Sequence, residues 1–310
     1  MILSYGFSIP GLSHREKDLP CQDAHYIGRL ANGWVVAAVA DGVGSSAHAE
    51  EAAALAVAAV ADMDGSCLSG LAPWDGQAAE ALLRDGFDRA EKAIGEAAST
   101  KGAPIGAYYT TLTAVVYDGQ HLAFGHCGDG GVVGLAVDGA YHMVTQVQKG
   151  EEFNTVKPLN HGQEHWAFAS PQEAYCSLLL MTDGLYDAAA PALLHGDEAS
   201  GGMYIRFLRQ FMDAGALGIT AENRDGIEDA VKAYFEEGPS PEVTDDKTMV
   251  CLINGGCAPP AREDAYYAEP DWEALRARQN ERLYPAKADP GLHSIPGEEG
   301  DNEHERIHRT

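Results

Sequence analysis

Two apolar runs of strand length end on the same dipeptide. Trp34-Val-Val-Ala-Ala-Val-Ala40 runs straight into Asp41-Gly42, and Ser177-Leu-Leu-Leu-Met-Thr182 runs into Asp183-Gly184. Runs of this length with no polar alternation read as strands covered on both faces. Each therefore delivers a carboxylate to the mouth of a core, where burial opposes its charge. A third run, Thr248-Met-Val-Cys-Leu-Ile253, is preceded by Asp245-Asp246. Asp-Gly taken singly is an ordinary turn. The ordered set implies that the chain brings several acids to the ends of its innermost strands.

The rest of the pattern suits an α+β arrangement. Trp34 to Ala40 reads as the first strand. An alanine-rich helix from Ala49 to Met63 and a second from Gln77 to Ala98, with Leu82, Leu83, Phe87, Ala90 and Ile94 at helical spacing, follow it. Between Tyr109 and Thr145 short β-rich runs are separated by Asp118-Gly119, Asp129-Gly130 and Asp138-Gly139, which reads as antiparallel hairpins. Residues 147 to 175 are weakly patterned. Helices are expected around Met203 to Asp213 and Gly226 to Phe235. Beyond Gly256 the composition shifts, so residues 1–256 are expected to form one domain. Residues 257–310 read as an acidic, proline-containing tail, helical only from Asp271 to Leu283 and flexible from Pro285 to Thr310.

Charge narrows the partners. With 47 acidic and 21 basic side chains the net charge is -26, which argues against nucleic acid or an anionic membrane as the main partner. Six cysteines are scattered without a Cys-x-x-Cys pair, and reduced thiols in a cytosol are the economical reading. The start lacks a basic region followed by an apolar one, and no segment is apolar enough to span a membrane. A cytoplasmic protein is the expectation.

Five aspartates are candidates for chemistry: Asp23, Asp41, Asp183 and Asp246 at strand ends, and Asp129 after Gly-His-Cys-Gly. Clustered carboxylates repel one another unless protonated or neutralised, and hard oxygen donors suit magnesium or manganese.

The motifs Gln22-Asp-Ala24, Val39-Ala-Asp-Gly-Val-Gly-Ser45, Tyr109-Thr-Thr-Leu-Thr113, His126-Cys-Gly-Asp-Gly130, Leu180-Met-Thr-Asp-Gly-Leu-Tyr-Asp187 and Asp245-Asp-Lys-Thr-Met-Val250 occur in that order. In this order the chain resembles the metal-dependent protein phosphatases of the 2C type, in their bacterial branch, from about residue 4 to 254. The resemblance implies an antiparallel β-sandwich flanked by α-helices in four layers, αββα. It also implies hydrolysis of phosphoserine or phosphothreonine by a hydroxide held between two Mn2+ or Mg2+ ions. Carried over by position, Asp41 would bridge both ions and the Gly42 carbonyl would ligate the first. Asp183 and Asp246 would hold the second, Asp23 would act near that pair through water, and Asp129 would join Asp183 at a third ion. Expected partners are a phosphorylated protein substrate and a cognate serine/threonine kinase, with the chain a monomer.

The chain departs from this pattern in places. Val43 stands where some members carry a histidine that serves as general acid. Asp18 stands where many carry a phosphate-binding arginine, so His14 and Arg15 are the candidates for substrate contact. Gln22 replaces a frequent glutamate, and Tyr109 a frequent glycine. Ser45-Ser46 reads as a helix N-cap region. Substrate specificity is expected in the 147–175 segment, which contains Glu152-Phe-Asn-Thr155. The alternative function is a scaffold that keeps the fold and binds phosphoproteins or a kinase without turnover.

Overall fold

The unbroken apolar runs are covered on both faces. The structure, a computed structural model, describes residues 1–63, 73–148, 156–197, 200–237 and 243–283. Ten strands form two five-stranded sheets. One sheet contains β1 (Ile2–Ile9), β10 (Lys247–Asn254), β9 (Tyr175–Met181), β6 (Gly131–Ala136) and β7 (Tyr141–Met143), in that spatial order. The other contains β2 (Asp23–Arg29), β3 (Val35–Asp41), β4 (Leu112–Tyr117), β5 (Leu122–Cys127) and β8 (Ala167–Ala169). Every pairing is antiparallel.

Alternation along each strand divides its side chains between two cores. On β3, Val35, Ala37 and Val39 face Leu178, Leu180, Val250 and Leu252 between the sheets. Val36, Ala38 and Ala40 face outward onto α2 (Ala49–Ala61) and α3 (Gly76–Lys101), where Ala52, Ala56, Leu83 and Phe87 meet them. The alanines on both partners let α2 lie close to the sheet. Across the molecule, Leu179, Met181, Cys251 and Ile253 turn outward onto α4 (Asp183–Ala189), α5 (Ile205–Met212) and α7 (Arg224–Glu237). The result is the expected four-layer αββα sandwich. Two short helices, α1 (Leu12–Arg15) and α6 (Ala214–Leu217), complete this unit.

Three strands, β1, β2 and β8, and three short helices, α1, α4 and α6, were not read from the pattern. In β1 the outward-facing Leu3, Tyr5, Phe7 and Ile9 all join the helix-covered core, an alternation partly masked by Ser4, Gly6 and Ser8. β2 begins at Asp23 and carries His25, Gly28 and Arg29, a polar composition tolerated at the edge of a sheet. Asp183 opens α4 instead of a turn.

The compact unit runs from Met1 to Pro270, beyond the expected boundary at Gly256, and a second unit begins at Asp271. The described part of that second unit is α8 (Trp272–Leu283). Residues 257–270 pack on the first unit. Arg262 pairs with Asp138 at 2.6 Å, the Tyr141 N–H donates to the Tyr266 hydroxyl, and the Arg209 guanidinium lies 4.0 Å over the Tyr267 ring. Cys176 and Cys257 are joined as a disulfide with Cα atoms 5.4 Å apart, within the usual span. For these two cysteines this corrects the expectation of reduced thiols, since the pairing of β9 with β10 brings them together from distant parts of the chain, while Cys21, Cys127 and Cys251 are free. Cys67, Glu152-Phe-Asn-Thr155 and Pro285 to Thr310 lie outside the described residues.

The glycines after the strand-end aspartates serve contact, not turning. Gly119 and Gly139 adopt left-handed φ values of 110° and 86°, as hairpin turns require, whereas Gly42 and Gly184 do not. A Cβ on Gly42 would collide with the Ala49 carbonyl at the start of α2, and one on Gly184 with the Asp246 carbonyl. Gly42→Ala is therefore expected to cost about 1–3 kcal/mol in urea unfolding. Gly95→Ala, in the interior of α3 with open space around it, is expected to gain about 0.5–1 kcal/mol.

Candidate metal centre

Strand register does the assembling. β2 and β3 pair so that Asp23 lies opposite Asp41. β6 and β9 pair with Gly131 opposite Met181, and the same register, carried past the strand ends, sets Asp129 opposite Asp183. One sheet supplies Asp41 and the other Asp183, and the tight β5–β6 connection, which crosses between the sheets, supplies Asp129. One carboxylate oxygen from each of Asp41, Asp129 and Asp183 lies within 4.8 Å of the other two. They line a pocket of about 170 Å3 together with His14, Gln22, Gly42, Val43, Asp245 and Asp246.

Asp41 is held by its backbone. Its N–H donates to Thr111 Oγ1 at 3.0 Å, and its carbonyl accepts from the Thr111 N–H and the Thr110 hydroxyl. The consecutive threonines of the Tyr109-Thr-Thr motif thus lock the end of β3. Gln22 closes the other side, its carbonyl accepting from the Gly42 N–H at 3.1 Å.

The field in the pocket is one-sided. Among the described residues no lysine or arginine lines it. Desolvation raises the Asp41 carboxyl well above its ordinary value, and the charges of Asp23, Asp183, Asp245 and Asp129 add to the effect. Desolvation, then Asp129 and Asp245, push Asp183 up to about 7. Carboxylate oxygens this close together fit a divalent cation taken through oxygen.

The other expected residues separate. Asp23, buried, lies below the cluster, where desolvation pushes it up to about 7 against the opposing effect of hydrogen bonds from Thr182 and Thr248. Its Oδ2 accepts from the Thr182 hydroxyl at 2.8 Å, which ties one sheet to the other directly beneath the pocket. Asp246 has both oxygens engaged by protein. Oδ1 accepts from the Gly11 N–H at 2.7 Å and bonds His14 Nδ1 at 2.8 Å, and Oδ2 accepts from the Gln22 N–H at 2.6 Å. It fastens the loop carrying α1. The carboxylate of this pair that acts on Asp41 and Asp183 through its charge is Asp245, which sequence reasoning passed over. The Asp-Asp dipeptide was the available signal: both residues line the pocket, and the protein's own donors occupy Asp246.

His14 lines the pocket, whereas the Arg15 head group donates to the Glu236 carbonyl at 3.3 Å and does not. Asp18 is exposed in a left-handed turn with φ 54°. Ser46 does not cap α2: its hydroxyl donates to the Gly106 carbonyl at 2.9 Å, and His48 occupies the cap position.

Because the folded protein raises the carboxyls of Asp41, Asp23 and Asp183, it holds protons that the unfolded chain has already lost between about pH 4 and 7. Their contribution is therefore most favourable at low pH and falls away as pH rises towards 7. In chelator, the melting temperature should drop from pH 5 to pH 8 more steeply for the wild type than for Asp41→Asn, and added Mn2+ should restore more at pH 8 than at pH 5. Parallel melting curves for the two proteins would contradict the arrangement.

Similarity to known proteins follows the same outline. A sequence model described as protein phosphatase 2C matches residues 10–216, more than half of the chain. No curated protein matches it in sequence. Among solved structures, it is similar to the Mycobacterium tuberculosis serine/threonine phosphatase PstP/Ppp, with 19% identity and a TM-score of 0.52 over 81% of this chain and 98% of that one. The Staphylococcus aureus serine/threonine phosphatase Stp1 has 15% identity and a TM-score of 0.55 over 82% and 95%. The PstP catalytic domain in complex with two manganese ions has 20% identity and a TM-score of 0.52 over 81% and 97%. At these identities the structures attest the fold, while the family match rests on the sequence itself. The order of the aspartate motifs, the αββα sandwich and the matching family model agree: the chain belongs to the protein phosphatase 2C family.

Proposed function

We propose that the chain is a metal-dependent phosphatase that removes phosphate from phosphoserine and phosphothreonine in proteins, opposing a cognate kinase, with Met1 to Pro270 as its catalytic unit. The observation that carries this reading is the convergence of Asp41, Asp129 and Asp183 within 4.8 Å in one pocket. With Asp245 beside them, these side chains are the proposed ligands, as is the Gly42 carbonyl. Two Mn2+ or Mg2+ ions held there would neutralise phosphoryl oxygens and make water a competent nucleophile near neutral pH. The manganese pair in the similar PstP structure supports the number.

The chain's own groups do the remaining work. The N–H groups of Gly42 and Val43 donate to the carbonyls of Gln22 and Tyr109, so they are unavailable as an oxyanion hole. His14, which lines the pocket, is the group assigned to polar contact with the phosphoryl group. Asp246 fixes its ring through Nδ1, leaving Nε2 to meet a phosphoryl or leaving-group oxygen. Asp23 braces the floor of the pocket through Thr182.

Manganese-dependent hydrolysis of p-nitrophenyl phosphate and of a phosphoserine peptide is the direct test. The expected wild-type rate exceeds that of Asp41→Ala by at least about a hundredfold, the scale of removing a principal electrostatic group. Equal rates would favour the scaffold reading. The two adjacent aspartates should part company in calorimetry. Asp245→Asn is expected to weaken Mn2+ binding about tenfold or more with little change in melting temperature. Asp246→Asn is expected to cost about 3 kcal/mol of stability, because two buried N–H donors and His14 lose a charged acceptor.

A further inference from the structure

The mouth of the metal pocket is not uniformly polar. On one side stands the His14–Asp246 pair. On the other, Val43 lines the pocket and donates its N–H to the Tyr109 carbonyl at 2.9 Å. Gly42 bridges Thr110 in the antiparallel sense, so Val43 lies opposite Tyr109, and both side chains are partly exposed. In a chain of net charge -26, this uncharged pair adjoins a pocket lined by five aspartates.

This patch is also fixed in place. The Tyr109 N–H donates to Ser46 Oγ, while the Ser46 hydroxyl donates to the Gly106 carbonyl and the His48 N–H to the Ala107 carbonyl. On its far side, the Leu159 N–H donates to the Thr110 carbonyl and Asn160 Nδ2 to the Tyr108 carbonyl. The half-buried Tyr109 ring lies against Gly106, where an added Cβ would sit 3.6 Å away, and meets the His161 ring edge to face at 6.1 Å. An aromatic ring held by its backbone and by a second ring presents apolar area with little entropy left to lose.

We propose that Tyr109, with Val43, forms the subsite that receives an aliphatic or aromatic side chain flanking the phosphorylated residue of the substrate. The proposal deepens the phosphatase reading and rests on it. Occupancy by substrate follows from position: Val43 lines the pocket and lies opposite Tyr109, so a peptide that leaves the pocket past Val43 meets the Tyr109 side chain. At about 3.5 Å per extended residue, the contact falls within roughly three residues of the phosphorylated one. The His14 side, with its ion pair, suits polar neighbours; the Tyr109 side suits apolar ones.

The test is a set of phosphoserine peptides in which each of the three positions on either side carries Leu, Ala or Asp in turn. Wild-type protein is expected to favour Leu over Ala by about tenfold in kcat/KM, the discrimination one apolar side chain provides in a half-open site, at a single position. Tyr109→Ala should collapse that ratio towards one, chiefly through KM, and Tyr109→Phe should retain it. Binding of matching phosphonate peptides, followed by fluorescence anisotropy with Mn2+ present, repeats the comparison without turnover. Absence of hydrolysis by the wild type would overturn the phosphatase reading alone, since anisotropy still decides the subsite. A flat profile in wild type, or a Leu preference that survives Tyr109→Ala, would overturn the subsite while leaving the phosphatase reading intact.

Discussion

The structure depends on a repulsion that it does not relieve with its own side chains. Asp41, Asp129 and Asp183 are forced together where the two sheets meet, and Asp23 and Asp245 add their fields from the flanks. Like charges directly opposite on paired strands are destabilising, yet Asp23 and Asp41 are direct partners. Such a site persists because the surrounding sandwich over-determines it: three apolar layers hold the strands in register, and the register leaves the carboxylates nowhere else to go. The unfavourable charge is the capacity to bind cations, stored in the packing of side chains that never touch them.

The polar bonds around the cluster share one purpose. Thr110 and Thr111 fix the end of β3, Thr182 ties Asp23 across the sandwich, and Asp246 gathers Gly11, His14 and Gln22 into one bundle. Each bond joins segments distant in sequence. The glycines behind Asp41 and Asp183 let neighbouring backbone approach closely enough for these bonds to form. The Asp-Gly pairs at 41–42 and 183–184 are therefore packing devices, in contrast to those at 118–119 and 138–139, whose glycines supply a left-handed turn.

Legibility differed from element to element. The innermost strands were readable because burial on both faces imposes a continuous apolar run, as in β3, β9 and β10. The long helices α2 and α3 were readable from their alanine-rich and amphipathic spacing. β2 escaped because an edge strand can carry Asp23, His25 and Arg29, and β1 because small polar residues interrupt its alternation. The attachment of residues 257–270 rests on single contacts such as Arg262 to Asp138 and on the Cys176–Cys257 link, none of which has a periodic signature.

What the amino-acid order determined by itself was the inventory: strands that must be covered on both faces, and acids at their ends. Hydrophobic periodicity is local, so it survives being read one segment at a time. What only the tertiary structure decided was which acid faces which neighbour. The Asp245-Asp246 dipeptide presents two chemically identical side chains, and the choice between pocket and loop clamp belongs to the register of β10 against β9 and to the loop that folds over it. The same holds for His14 and Arg15, adjacent in sequence, of which one enters the pocket and the other turns to Glu236. Direction in space is a property of paired strands and packed loops, and no single segment carries it.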